Sequence, residues 1–300
     1  MSGANPAYSL ADTHAVAKAF AKIPLIVSLS SYMDETAAMA HYILPSHAHL
    51  ERYEDVPAAA GFPKPILGLS KPAVKPVFKT KYVGDVVMAL AKAVGGPVAG
   101  AFGWESYEAC LKQTLGGAWD TLVKNGYVVD GQFKPAEFET ASQKFEFKNP
   151  ALAKLPVYAA QRAPGDEKSF PLTLIPYDTM RLASGPIGSP PFLVKALEET
   201  ALQQNTALVD VNPATAKDLG LAEGSAAVLS TPKGSARVKV HLSDGIMPGL
   251  VALPRGLGHT AYDTYLAGKG VNTNALIGPV EDPGSGFEAG WGIRASLTKA

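Results

Sequence analysis

The stretch that decides the fold covers residues 212–254 and reads NPATAKDLGLAEGSAAVLSTPKGSARVKVHLSDGIMPGLVALP. It begins with Asn-Pro, which favours a helix start, and Gly220 is suited to end that helix in a left-handed conformation. Three apolar or alternating segments follow at 226–231, 235–242 and 250–254, separated by turns that contain glycine and proline. Three short strands after a one-turn helix predict a small closed β-barrel.

The residues after this stretch are rich in glycine and polar side chains. Residues 255–260 read RGLGHT, and residues 268–276 read GKGVNTNAL. Both segments are poor in the apolar side chains that a core needs, and glycine lets a backbone approach a ligand closely. We therefore predict that they form loops that face a ligand.

Composition limits the possible functions. The 300 residues suggest about two domains, and the balance of 27 basic against 27 acidic residues argues against nucleic acid as the main partner. No run approaches the roughly 18 apolar residues of a membrane span, and the N-terminus does not resemble a signal peptide. The single cysteine, Cys110, excludes an internal disulfide and predicts no iron–sulfur cluster within this chain.

The N-terminal third mixes helical and strand patterns. Strands are predicted at 24–30 and 42–45, and helices at 14–22 and 85–94. Five prolines within residues 46–77 predict a long ordered loop there. These elements are too few to build a doubly wound sheet with both faces covered, so we expect the chain to begin inside a domain.

The order of these motifs resembles the molybdopterin oxidoreductases, the dimethyl sulfoxide reductase family. The resemblance is carried by the barrel pattern, which ends in Asn-Ala-Leu at 274–276, and by Asp-Glu-Thr-Ala at 34–37 followed by Ile-Leu-Pro at 43–45. It covers residues 5–94 and 172–300. The family's N-terminal part, with its iron–sulfur cluster and its metal-ligating side chain, has no counterpart here, which implies a C-terminal fragment or a truncated gene product.

One branch of the family is more similar than the others. The loops at 258–262 and 268–272 resemble those of the molybdopterin-like large subunits of menaquinone reductase, alternative complex III and polysulfide reductase. Three positions depart from the usual family pattern: His41 stands in place of an aspartate, Glu288 in place of a proline and Trp291 in place of a lysine. Losing a cation that faces the cofactor weakens the case for a bound pterin, and it fits a branch with members that keep the fold without metal.

The resemblance implies a fold class and a domain organisation. The expected fold is an α/β, partial doubly wound (Rossmann-like) region followed by a β-rich six-stranded double-psi barrel of the aspartate decarboxylase-like type. Residues 1–100 are expected to form the C-terminal part of the α/β domain, and residues 101–168 a helical and hairpin connector. Residues 169–300 are expected to form the molybdopterin dinucleotide-binding barrel.

The cofactor implied by the resemblance is molybdopterin guanine dinucleotide, either still bound or lost. A protein holds such a group with backbone N–H groups of glycine-rich turns, with amides and carboxylates at the ring edges, and with a cation. Residues predicted to bind it are Asn5, Ser30, Arg52, Asp85, Arg181, Ser184, Gly185, His259, Asn274 and Trp291. No residue of this chain is predicted to be catalytic or to ligate a metal.

Several of these residues have an ordinary structural interpretation that the sequence leaves open. Asp85 lies in the first turn of a helix, where it would stabilise the helix by capping alone. Arg52 and Arg181 could be solvated surface arginines, and Asn274 could be a turn residue in a left-handed conformation. His259 could reach a cofactor or only hold a loop in place.

The sequence leaves three functions open, of which the resemblance implies the first two. The first is a portion of a subunit that holds the dinucleotide in a membrane-associated respiratory electron-transfer complex. The second is a cofactor-free structural subunit of a quinone-linked complex, and a weaker third is a free-standing barrel that binds another small ligand. The implied partners are an iron–sulfur subunit, a membrane quinone-interacting subunit and a multihaem cytochrome. The implied location is the periplasmic side of the cytoplasmic membrane.

Overall fold

The computed structural model describes residues 1–57, 62, 64–129, 131, 138–147, 163–183, 185, 192–282, 285–290 and 292–300. The chain divides into two compact units. The first unit contains Met1–Ile43 together with Arg162–Ala300, and the second contains Leu44–Gln161.

The helices and strands are numbered in chain order. They are α1 (Pro6–Ser9), α2 (Thr13–Phe20), β1 (Val27–Ser28), α3 (Glu35–Ala38), β2 (Tyr42–Ile43), β3 (Glu54–Pro57), β4 (Ile66–Ser70), α4 (Val83–Val94), α5 (Gly96–Ala101), α6 (Tyr107–Leu115), α7 (Trp119–Asn125), β5 (Tyr127–Val129), β6 (Leu172–Tyr177), α8 (Phe192–Lys195), β7 (Leu202–Gln203), β8 (Thr206–Val211), α9 (Pro213–Asp218), β9 (Ala226–Thr231), β10 (Gly234–Leu242), β11 (Leu250–Pro254) and β12 (Ile293–Lys299). In the part of the chain that the structure describes, 3-10 turns cover His49–Glu51, Gly116–Ala118 and Thr273–Ala275.

Six strands of the first unit close into a barrel. The strand order is β10-β9-β12-β6-β11-β8, and an additional pairing of β8 with β10 completes the ring. The β8–β10 and β6–β11 pairs are parallel, whereas the other neighbours in the ring are antiparallel. The predicted closed barrel is therefore confirmed, and the ring matches the six-stranded double-psi type.

Alternation along the strands places the apolar side chains in the barrel core. In β10, Val238 and Val240 are buried while Lys239 between them is not. Leu229 of β9 and Val209 of β8 are fully buried in the same cluster. Each such side chain contributes about 1.5–3 kcal/mol when it is removed from water, so the barrel core is the main source of stability in this unit.

The first 43 residues belong to the same unit as the barrel. Strands β1 and β2 pair in parallel, with Val27 opposite Tyr42, and no further strand joins this pair among the described residues. Tyr8 of α1 is buried and its hydroxyl donates to Leu257 O at 2.9 Å. Asp12 N donates to Asn274 O at 2.9 Å. These hydrogen bonds attach the segment to the barrel, while its expected doubly wound (Rossmann-like) character stays a prediction.

The second unit has a core of its own. Strands β3, β4 and β5 form an antiparallel sheet, and the buried Leu69, Leu111, Trp119 and Leu122 pack together. The expectation of a single long loop over residues 46–77 is wrong, because β3 and β4 lie within it. Proline is compatible with a strand at its end, and Pro57 is the last residue of β3.

The predicted boundaries near residues 100 and 168 stay predictions. The compact units follow a different grouping, because Met1–Ile43 is joined with the barrel, whereas Leu44–Gln161 is separate. The hydrogen bonds from Tyr8 and Asp12 to barrel residues explain why the N-terminal segment is not grouped with the residues that follow it.

Candidate functional site

Several residues predicted to bind the cofactor meet where the N-terminal segment contacts the loops after β11. Asn5, His259 and Asn274 are all buried here. A cavity of about 290 Å³ lies beside them. The residues that line it include Tyr8, His14, Glu35, Gly258, Thr260 and Asn272.

Glu35, in the first turn of α3, forms hydrogen bonds with several residues of this junction. Its Oε1 accepts hydrogen bonds from Thr260 N at 2.8 Å and Ala261 N at 3.2 Å, and it lies 3.0 Å from His259 Nδ1. Its Oε2 accepts a bond from Asn5 Nδ2 at 2.7 Å. Burial by itself raises the pKa of Glu35, but the bonds from His259 and Asn5 and the charge of His259 outweigh it, so the pKa falls to about 2. Glu35 is therefore a carboxylate.

Asn5 and the cap of α3 fix Glu35 in place. Asn5 Oδ1 accepts from Thr36 N at 3.1 Å and from Thr36 Oγ1 at 2.8 Å. Asp34 caps the helix by accepting from Ala37 N at 2.7 Å. Ser30 lies nearby and donates from its Oγ to Asp34 Oδ2 at 2.9 Å. Asn5 and Ser30 thus support Glu35 through the backbone and side chains of α3.

His259 lies at the centre of the junction and is 2% exposed. Its Nε2 lies 3.0 Å from Gly185 O, so the histidine bridges Glu35 and the loop after β6. Its ring stacks on the ring of Tyr8 at a centroid distance of 3.8 Å and an interplanar angle of 13°. Burial raises the pKa of Tyr8, and the charge of Glu35 raises it further, so the Tyr8 hydroxyl stays protonated.

Asn274 lies in the 3-10 turn Thr273–Ala275. Its Nδ2 donates to Tyr8 O at 3.0 Å, and the same carbonyl accepts from Asn272 Nδ2 at 3.0 Å. Asn272 Oδ1 in turn accepts from Asn274 N at 3.0 Å. Among the described residues, Asn274 Oδ1 has no recorded hydrogen-bond partner, so one acceptor of this buried amide remains available to a ligand.

The loop after β6 is described at residues 178–183 and 185, and it carries Arg181 and Gly185. Arg181 forms an exposed ion pair with Glu198. A Cβ added to Gly185 would lie 2.1 Å from Gly256 Cα, so the two backbones touch at this point. Ala183 adopts a left-handed conformation with φ 47°, and this tight turn places the loop beside the residues that follow β11. Strands β6 and β11 are parallel, which is why their carboxyl-end loops meet.

The donors at these two loops suit the pyrophosphate of a dinucleotide. Arg255 and Arg181 each carry a guanidinium, which matches phosphate oxygens. Arg255 Nε is buried and lies 2.8 Å from Asp178 Oδ1, yet no acceptor in the described part of the chain completes a hydrogen bond to it. A buried guanidinium nitrogen that has a carboxylate nearby but no completed hydrogen bond, beside glycine-rich turns, is a group that an anion would satisfy. The residues present therefore fit the group that the sequence predicts.

Two other predicted residues lie in the second unit. Arg52 pairs with Glu54, at 2.8 Å between Nη2 and Oε2, and lies over the ring of Tyr82. Asp85 Oδ1 accepts from Tyr107 N at 2.8 Å, at the start of α6. Both residues therefore make contacts within the protein. A role for Arg52 or Asp85 in cofactor binding stays a prediction. Ser184 and Trp291 lie outside the described residues.

Three residues of the junction were not singled out from the sequence. Glu35 lies in the acidic segment that carried the resemblance, and Arg255 opens the loop predicted to face a ligand, so both had a signal that could have been used. No sequence signal pointed to Tyr8, because a single tyrosine outside any motif does not indicate a functional role. In the described part of the chain, no three histidine, cysteine or acidic side chains are placed to share a metal ion. None of the described helices has both the length and the apolar surface that crossing a bilayer requires.

Comparison with known proteins identifies two family models that match parts of this chain. Residues 1–93 match the family model of molybdopterin oxidoreductase, and residues 194–289 match that of the molybdopterin dinucleotide binding domain. The chain belongs to the molybdopterin oxidoreductase family. The second match covers most of the barrel, including β8 to β11 and the turn with Asn274. The barrel part of this chain thus corresponds to the family's dinucleotide-binding domain.

Similar proteins include the menaquinone reductase molybdopterin-binding-like subunit of Nitratidesulfovibrio vulgaris, which is 32% identical over 300 residues, 99% of this chain and 41% of the relative. The arsenate respiratory reductase molybdopterin-containing subunit of a Shewanella species is 26% identical over 61% of this chain and 26% of its own length. Acetylene hydratase from Pelobacter acetylenicus shares the fold, with a TM-score of 0.72 and 21% identity over 99% of this chain and 43% of that structure. The chain therefore spans less than half the length of these family members.

Proposed function

We propose that this chain forms the part of a molybdopterin oxidoreductase-family subunit that holds the molybdopterin guanine dinucleotide in a respiratory electron-transfer complex. The observation that carries the proposal is the meeting of two carboxyl-end loops, which places the arginines Arg181 and Arg255 beside glycine turns. The dinucleotide-binding domain match over 194–289 supports it.

Each group of the site has a distinct task in this proposal. Arg181, Arg255 and the backbone around Gly185 and Gly256 bind the pyrophosphate, because guanidinium and backbone N–H groups are the donors that phosphates accept from. Asn274 offers its free amide oxygen to an N–H edge of the pterin. When bound, the cofactor supplies the redox chemistry, while the protein orients it and excludes water.

The names of two relatives support a proposal about the wider assembly. The Nitratidesulfovibrio vulgaris protein is named as a subunit of menaquinone reductase, and the Shewanella protein as a subunit of a respiratory reductase. We propose that this chain likewise works with an iron–sulfur subunit, a membrane subunit that interacts with quinone and a multihaem cytochrome, on the periplasmic side of the cytoplasmic membrane. Co-purification of such proteins with the tagged chain from its native cells would support this assembly, and recovery of the chain alone would contradict it.

Cofactor retention tests the binding site directly. The gene product that contains this chain is purified with its partners, and molybdenum, tungsten and released pterin are measured. We expect Arg181→Gln and Asn274→Ala to lower the pterin content severalfold. Arg237→Gln is the matched control, because Arg237 is an exposed barrel arginine in β10. Equal pterin content in all three variants and the unmodified protein would refute the assignment of Arg181 and Asn274.

A second candidate function is a structural subunit that has kept the fold and lost the cofactor. It is favoured by the internal hydrogen bonds of Asn5 and His259, which occupy the polar atoms that would otherwise face a ligand. The ion pair of Arg181 with Glu198 points the same way. A complex that transfers electrons without stoichiometric pterin or metal would establish this function and exclude the first.

A further inference from the structure

Both ring nitrogens of His259 face hydrogen-bond acceptors. Nε2 lies 3.0 Å from Gly185 O, and a carbonyl oxygen can only accept, so Nε2 must carry a hydrogen. Nδ1 lies 3.0 Å from Glu35 Oε1, which already accepts the backbone N–H groups of Thr260 and Ala261. Nδ1 must therefore carry the second hydrogen. A neutral imidazole has only one N–H group, so this geometry requires the doubly protonated ring.

We propose that His259 is a buried imidazolium paired with the Glu35 carboxylate, and that this pair positions the loop 178–185 by donating to Gly185 O. Glu35 belongs to α3 and His259 to the segment after β11, so the pair joins three separate parts of the chain. Its consequence for cofactor binding rests on the proposed function of the loop. The existence of the ion pair does not depend on that function.

The surroundings of the pair suit a buried charge. A cation in a protein interior requires a partner charge, and the Glu35 side chain, which is 10% exposed, supplies it at hydrogen-bond distance. Tyr8 of α1 covers one face of the imidazole ring, which stabilises a cation further. Tyr262 contacts the ring edge-on at 5.1 Å between centroids.

The other charged groups near the junction are engaged elsewhere. Asp34 accepts from Ala37 N and Ser30 Oγ, and Asp178 of the loop pairs with Arg255. Arg181 pairs with Glu198, and the ammonium group of Lys233 pairs with Asp12 of the α2 N-cap. His14 of α2 lines the same cavity as Glu35 but is exposed. Glu35 is thus the carboxylate that faces His259 among the described residues.

The chain offers an exposed pair of the same residue types as a control. His241 Nδ1 lies 3.3 Å from Glu223 Oε1, and these side chains are 26% and 55% exposed. Water reaches this pair, so its geometry does not require the doubly protonated ring. Any difference between the two pairs therefore reports burial and the bond to Gly185 rather than residue type.

Nitrogen NMR of the unmodified 300-residue chain tests the protonation state. The chain is labelled with ¹⁵N-histidine and measured at about pH 8, above the ordinary histidine pKa of roughly 6.5. We expect both His259 nitrogens to show bonded hydrogens that exchange slowly with water, with assignment by loss of the signals in His259→Gln. A single protonated nitrogen on His259 at this pH would overturn the proposal.

Hydrogen exchange tests the positioning role. Amide exchange of residues 178–183 is compared in His259→Gln and Glu35→Gln, with His241→Gln and Glu223→Gln as controls. We expect exchange to accelerate by about tenfold or more in the first two variants and to stay unchanged in the controls. Equal rates in all four variants would show that the pair does not position the loop.

Pterin retention in the same variants separates this inference from the proposed function. If the NMR and exchange results are as expected and His259→Gln lowers pterin retention, the ion pair and the proposed function are both supported. If those results are as expected but pterin retention is unchanged, the buried ion pair is supported. The assignment of loop 178–185 to dinucleotide binding is then refuted. If the imidazole is singly protonated while Arg181→Gln lowers retention, the proposed function stands and the ion pair is refuted.

Discussion

Glu35 shows how one side chain connects distant parts of the sequence. It receives hydrogen bonds from Asn5, 30 residues before it, and from Thr260, 225 residues after it. Hydrogen bonds to a charged acceptor are stronger than neutral ones, and removing the charge leaves several donors without their partner. A large share of the attachment between the N-terminal segment and the barrel therefore depends on this carboxylate.

The depressed pKa of Glu35 predicts a specific pH dependence of stability. Its pKa falls from 4.5 to about 2 on folding, so the ionised group stabilises the folded state above pH 4.5, and this contribution is lost as the pH falls towards 2. We expect the difference in unfolding free energy between the unmodified chain and Glu35→Gln to shrink over this range. Urea denaturation at several pH values measures it. Glu223→Gln is the control, and the same pH profile for both variants would contradict the prediction.

At the scale of elements, glycines allow the loops of the site to pack with their backbones in contact. Gly258 has φ 74°, and a Cβ added to it would lie 1.9 Å from Asn272 N. Gly185 approaches Gly256 almost as closely, at 2.1 Å from an added Cβ to the Gly256 Cα. The loops after β6 and β11 and the 268–276 segment are thus held by backbone contact, which a side chain would block.

Substitution at two glycines with nearly equal φ angles separates backbone strain from steric overlap. Gly258→Ala should lower the unfolding free energy by about 3 kcal/mol or more, because the methyl group collides with backbone that cannot move away. Gly268 has φ 75° and nothing within 4 Å of an added Cβ, so Gly268→Ala should cost only about 1 kcal/mol of backbone strain. Urea denaturation compares them, and equal losses would show that the close contact is absent.

At the scale of the whole molecule, the described residues form two separate hydrophobic cores. Leu229 belongs to the barrel core and Leu122 to the core of the second unit, and both are fully buried. Units with their own cores open in separate steps when the free energy of one of them is lowered.

Matched core substitutions test this separation. Leu122→Ala and Leu229→Ala should each cost about 2–5 kcal/mol in their own unit, because each leaves a cavity. We expect Leu122→Ala to speed amide exchange in β4 and β5 while β9 and β10 keep their protection, and Leu229→Ala to do the reverse. Hydrogen exchange followed by mass spectrometry measures both. Acceleration across the whole chain in either variant would show that the two cores unfold together.

Local patterns predicted the barrel well. Strands β9, β10 and β11 match the predicted segments closely, because alternation and glycine turns depend only on neighbouring residues. The same reasoning misses β3 and β4, because the prolines around them are typical of a loop. The strand predicted at 24–30 covers only Val27–Ser28 in the structure. Its length depends on pairing with β2, which is itself only two residues long.

The sequence by itself determined the barrel, the family and the identity of several buried polar residues at the junction, because strand alternation, turn glycines and short motifs are local properties of the chain. The tertiary structure alone decided that Glu35, His259 and Gly185 act together, and that Arg52 and Asp85 lie in another unit. Tyr8 and Leu257 are 249 residues apart and still share a hydrogen bond. Contacts of this kind arise only when the closed barrel brings strand ends together, so no local pattern could predict them.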